Sequence, residues 1–232
     1  MSFTKLLGTA LVAGLLAALV TAGFHWFFTE PLIDRAVAIE AQASPHTEEA
    51  VVSRPMQKFG LFVGLGVYGV AWGILFGVLV YAITPNVTAG GNILQPLLLA
   101  LILGWSVGLF PMLIYPANPP GVGEAATIGF RQELFVLLMA LSLIGTVAAF
   151  IAENSLRQAG RPMPLLILAA YVAYMFCLYR FFPANPDPVK IDTELVRHFR
   201  IVSFAGQIVF WTVLGGAFGM LARHRSSAPT HA

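Results

Sequence analysis

The chain reads as an all-α, polytopic membrane protein, a bundle of about six transmembrane helices forming one integral membrane domain over residues 1–232. Three observations predict this class. Hydrophobic residues make up 58% of the chain and charged residues 10%, where a soluble domain carries about 25% charged and under about 50% apolar residues. Mean hydropathy is +0.80. The apolar residues are gathered into long runs without charge, and the charged residues into the segments between alternate runs.

That composition excludes a soluble enzyme, a disordered chain and a nucleic-acid binder. The net charge of +2, from 13 Lys+Arg against 11 Asp+Glu, is too balanced for a basic surface that seeks an acidic partner. The single cysteine, Cys177, lies in an apolar run and offers neither a disulfide framework nor a zinc motif.

A helix rising about 1.5 Å per residue needs roughly 20 apolar residues to cross the hydrocarbon layer. The runs that qualify are Leu6–Phe28, Phe59–Thr84, Leu94–Tyr115, Leu134–Ala152, Pro162–Tyr179 and Ile201–Leu221, and none contains Asp, Glu, Lys or Arg. Lipid offers no partner for backbone N–H or C=O, so each run is predicted to be a helix. The first run also resembles a signal peptide, but its uninterrupted length favours a span.

Lys and Arg counts set orientation in short loops. With the N-terminus inside, the inner segments carry Lys5, Arg157, Arg161, Arg223 and Arg225, and the outer ones the other eight. The count alone favours the opposite orientation. The outer basic residues, however, lie in long acid-rich loops, so we read both termini as cytoplasmic.

Gly69, Gly73 and Gly77 repeat at a spacing of four along the second span, Gly60 and Gly64 precede them, and Gly104 and Gly108 lie in the third. Small residues let helices approach closely in lipid. A glycine-lined path for a small solute is the other reading. Gly64-Leu65-Gly66-Val67-Tyr68-Gly69 matches a dinucleotide-binding pattern, but it lies within an apolar span with no preceding strand, and is read as chance.

The tetrapeptide Pro116-Ala117-Asn118-Pro119 recurs 67 residues later as Pro183-Ala184-Asn185-Pro186, each time after a span ending in an aromatic residue. Phe27-Phe28-Thr29-Glu30-Pro31 is a looser cousin. Each loop returns through basic residues: Arg54 and Lys58, then Arg131, then Arg197 and Arg200. This predicts three parallel helical hairpins whose charged loops share one face. Repeats of this kind place sites at their interfaces, although proline stops a helix in any protein. The Asn118 and Asn185 amides suit either a cap for the following turn or oxygens for a hydrated cation.

The charged loops supply the candidate ligands. His46, Glu48 and Glu49 put an imidazole and two carboxylates within four residues, a set that suits Co²⁺, Ni²⁺ or Zn²⁺; a solvated acidic loop is the alternative. His25 lies at the outer end of the first span and His198 at the start of the sixth, and an ionisable residue at membrane depth is a functional candidate. The two are predicted to share a face, as a pair for a metal ion or a haem. Arg131 and Glu133 pair with each other or with Glu124 in the simplest reading. No catalytic constellation or resident cofactor is predicted.

Leu103-Gly104-Trp105 with Pro111, the stretch Tyr115–Gly123, Thr127–Arg131 and Phe199–Gln207 closing on Trp211 together resemble the CbtA-type family of cobalt transporter subunits, as does the opening span with Glu30-Pro31-Leu32-Ile33. The resemblance implies cobalt uptake in a bacterial cytoplasmic membrane, with a small single-span partner. This chain departs from the family's histidine-rich first loop by keeping only His46. The expected function is a subunit passing a divalent ion from the charged outer face through the bundle. The alternative is a structural subunit of a larger membrane complex.

Overall fold

The computed structural model describes residues 2–43, 52–83, 92–185, 187, 189 and 191–227. Among these there are helices and no strand, and six helical segments are long and apolar enough to cross a membrane. The first span is α1 (Phe3–Phe28). It is followed by α2 (Glu30–Ala43), an exposed helix that the sequence reading had placed in a loop. The second span is α3 (Arg54–Ile83). The third comprises α4 (Leu94–Gly104), a π turn over Trp105–Leu109 and α5 (Phe110–Ile114). α6 (Ile128–Gln158), α7 (Pro164–Phe181) and α8 (Thr193–Ser227) complete the set.

Two irregularities follow from proline. Pro31 lacks an N–H and its ring opposes the carbonyl of residue 27, so the chain bends at Thr29 and continues as α2. Pro111 opposes the carbonyl of residue 107 in the same way. There the third span widens into its π turn, and the Phe110 N–H reaches back to the Trp105 carbonyl.

α1 packs on α3 and α8, and α8 also packs on α4. Small residues make this possible: a Cβ added to Gly14 of α1 would lie 2.1 Å from the Gly69 carbonyl oxygen of α3. The packing reading of Gly69, Gly73 and Gly77 therefore holds, whereas nothing lies within 4 Å of a Cβ at Gly60 or Gly64. Rings one turn apart on α3 meet rings of α8: Tyr68 with Phe210 at 4.8 Å, Trp72 with Trp211 at 5.0 Å and Phe76 with Phe218 at 5.4 Å. Trp211 lies flat over Gly104, where a Cβ would come within 2.2 Å of it.

α6 and α7 form a second unit against the π turn and α5. Leu138, Met175, Phe110 and Tyr115 are its buried centre. The Trp105 indole donates to the Tyr171 hydroxyl at 3.0 Å, Tyr171 meets Thr146 at 2.9 Å, and Ser106 donates to Thr146 at 2.8 Å.

The expected three hairpins are only partly the packing units. α1 pairs with α3, and the π turn with α5 pairs with α6, but α7 packs chiefly on α6 while α8 packs on α1 and α4. The small residues Gly215 and Gly219 fit α8 against the start of α4; α7 instead leaves Leu165, Leu168, Val172 and Phe176 exposed.

Candidate functional site

The charged ends of α1, α3, α5, α6, α7 and α8 gather into one polar rim, tied across the chain. In its first part α2 docks on the start of α3. Arg54 Nη2 donates to Glu30 Oε2 at 2.6 Å and to Asp34 Oδ1 at 2.7 Å, and Lys58 Nζ donates to Asp34 Oδ2 at 2.7 Å. The Glu30 side chain is 7% exposed, so its charge is held out of water and compensated by Arg54. The hydrogen bonds from Lys58 and Arg54 hold the Asp34 carboxyl below the usual carboxylate range.

In the second part the two Pro-Ala-Asn-Pro segments are fastened together. The Tyr115 hydroxyl donates to the Pro183 carbonyl, and the Tyr115 and Phe182 rings meet edge to face at 6.0 Å. Asp187, with a side chain only 2% exposed, sits at the centre. It accepts from the Thr127 hydroxyl at 2.8 Å and from the Glu124 N–H at 2.9 Å, and it pairs with Arg131 Nε at 3.1 Å. Gly121 and Gly123 turn the chain beneath with φ of 79° and 104°, a region glycine enters without a Cβ penalty. The Arg131 guanidinium lies where a Cβ on Gly123 would be.

Each asparagine has a structural role. Asn185 Oδ1 accepts the Asp187 N–H at 3.0 Å, the turn-capping role. Asn118 Oδ1 accepts from Arg200 Nη2 at 2.8 Å and Nε at 3.2 Å, which ties the first tetrapeptide to α8. Arg35 and Asp192 at 3.8 Å link α2 to the segment before α8. A cleft of about 540 Å³ remains between the tetrapeptides, lined by Tyr115, Asn118, Arg131, Gln132 and Asn185 among others.

The rim contains several of the candidate ligands without clustering them. His25 is half-buried at the end of α1; its Nδ1 lies 2.7 Å from Thr29 Oγ1, and its ring packs on Gly206 of α8. His198 is exposed, 3.8 Å from Glu194 on its own helix. Gly206 is eight residues further along α8 than His198, about 12 Å at 1.5 Å per residue, so the two histidines are not brought together. His46, Glu48 and Glu49 lie outside the described residues. Among the described residues no three His, Cys, Asp or Glu side chains converge as a metal site. Among the described residues Arg131 forms its ion pair with Asp187, and its Nη2 donates to the Glu124 backbone carbonyl at 3.2 Å. The sequence reading missed Asp187, whose only local signal is the Asn-Pro-Asp turn pattern.

Six helices long and apolar enough to cross a membrane, with loops tied into a polar rim at one end, define an integral membrane protein. The chain belongs to the CbtA family, described as a probable cobalt transporter subunit, whose family model matches residues 3–223. No curated protein and no solved structure matches it.

Proposed function

We propose that the chain is a non-enzymatic membrane subunit of a cobalt-transport system. In this reading it sits in a bacterial cytoplasmic membrane with both termini cytoplasmic and the charged rim outward, where Co²⁺ enters. The family match across residues 3–223 carries the reading. The imidazoles of His25 and His198 at the rim support it, because imidazole suits a late divalent ion. Glu30, Asp34 and Asp187 are engaged by cations or amides and act as structure. The proposed ion contacts are therefore His25, His198 and the sequence-adjacent His46, Glu48 and Glu49.

Trp211, Phe76, Phe210 and Phe218 fill the space between α1, α3, α4 and α8, so an ion crossing there requires those rings to move or a partner helix to complete the path. A small single-span subunit is the proposed partner. The same filled core favours a second reading, a structural subunit of a larger membrane complex.

Expression with the partner in a cobalt-uptake-deficient strain tests the proposal. Cell-associated cobalt, measured by elemental analysis, is expected to rise above the vector control, and no rise overturns it. Single substitution of His25, His46, Glu48, Glu49 and His198 locates the contacts; unchanged uptake in all five removes the proposed site.

A further inference from the structure

We infer that the outer side of the α6–α7 hairpin is the docking surface for a second copy of this chain, related by a two-fold axis along the membrane normal. α7 has a single buried residue, Met175. Its face carrying Ala169, Ala173 and Cys177 is exposed. These small residues repeat at the spacing by which Gly69, Gly73 and Gly77 seat α3 on α1, and small residues are what lets lipid-embedded helices meet.

Charge selects the occupant. Arg180, in the last turn of α7, and Glu133, in the second turn of α6, are both exposed. Among the described residues neither makes an ion pair or hydrogen bond. The Tyr174 hydroxyl donates to the Leu141 carbonyl, which fixes the register of the two antiparallel helices. Arg180 is six residues outward from Tyr174 and Glu133 eight residues outward from Leu141. The two charges therefore lie within about 3 Å of the same depth. They sit on neighbouring helices yet do not meet within one chain. A two-fold axis along the normal preserves depth and makes each contact reciprocal. Glu133 of one copy then faces Arg180 of the other twice over, at the membrane boundary where an ion pair is less screened than in water.

The chain carries its own probe, because Cys177 is the one cysteine in this sequence and is exposed on this face. Oxidation in membranes is expected to give a covalent dimer through Cys177, and single-molecule counting in bilayer discs to show two copies. Glu133→Arg and Arg180→Glu are each expected to weaken dimerisation about tenfold, since both reciprocal pairs become repulsive. The double variant is expected to restore it. Both side chains are exposed, and unchanged thermal melting of the monomer verifies the fold of each variant. A monomer at all concentrations, a dimer indifferent to the single reversals, no rescue in the double variant, or Cys177 captured only by a different polypeptide overturns the inference.

Discussion

The four-helix core of α1, α3, α4 and α8 and the α6–α7 hairpin differ sharply in packing although both are apolar. The most apolar window of α6 exceeds that of α1 in hydropathy, yet α6 buries only Leu138 and Ser142 where α1 buries a whole face of Ala, Gly and Thr. In lipid the solvent is as apolar as the side chains, so hydrophobicity does not choose neighbours; close approach does. Backbones touch where Gly14 meets Gly69, and rings interlock where Trp211 covers Gly104. The α6–α7 hairpin instead relies on Tyr174, Leu138 and a short run of hydroxyl contacts.

Substitutions break that contrast in graded steps. Gly69→Leu is expected to be the most damaging, because even its Cβ would stand 2.4 Å from the Gly14 carbonyl oxygen. Overpacking costs about 1–3 kcal/mol where side chains yield and more where backbone must move, so little folded protein is expected on size exclusion. Gly64→Leu, on the same helix with nothing nearby, is the control and is expected to behave as wild type.

Trp211→Ala follows, at about 3–5 kcal/mol for a buried aromatic. Tyr171→Phe, the matching test in the hairpin, is expected to cost only about 0.6 kcal/mol, the scale of a hydrogen bond between membrane helices. Thermal unfolding of the two variants side by side measures the difference; equal losses would place both regions in one packing regime.

At the rim, Asp187→Ala is expected to cost about 3 kcal/mol, because Arg131 and two donors lose a buried acceptor. Limited proteolysis between residues 116 and 127 reads the loosening.

The smallest effect falls on the half-exposed clamp of α2. Asp34→Asn is expected to cost under about 1 kcal/mol. Asp34 titrates below its ordinary value when folded, so its contribution is complete above the usual carboxylate pKa of about 3.9 and fades as pH falls through the lower folded value. The stability difference between wild type and variant is then constant from about pH 5 to 8 and shrinks only in stronger acid.

The spans were legible because a charge-free run of that length has one structural solution in a bilayer. Their helices overrun the apolar limits: α8 begins at Thr193 rather than at Ile201, since nothing in water stops a helix at the membrane boundary. α2 was hidden by its charges, which read as a loop, although its alanines sit at helical spacing and Ala36 is buried. Glycine spacing marked the α1–α3 contact but marked the open Gly60 and Gly64 equally, because spacing carries no record of what lies opposite. The shared rim was legible from the repeated tetrapeptide. Its bonds were not, since Asp187 holds Glu124 and Thr127 across 63 and 60 residues. The order of spans put His25 and His198 at the same membrane face, but depth along α8 separates them.

The central claim is that the three charged loops form one surface on one side of the membrane. With Cys177→Ser as background, Glu40→Cys, Val122→Cys and Thr193→Cys are labelled in intact cells with a membrane-impermeant thiol reagent. All three are expected to react from the same, outer side; a variant that reacts only after the cells are opened, while the others react before, contradicts the shared rim and the ion entry built on it.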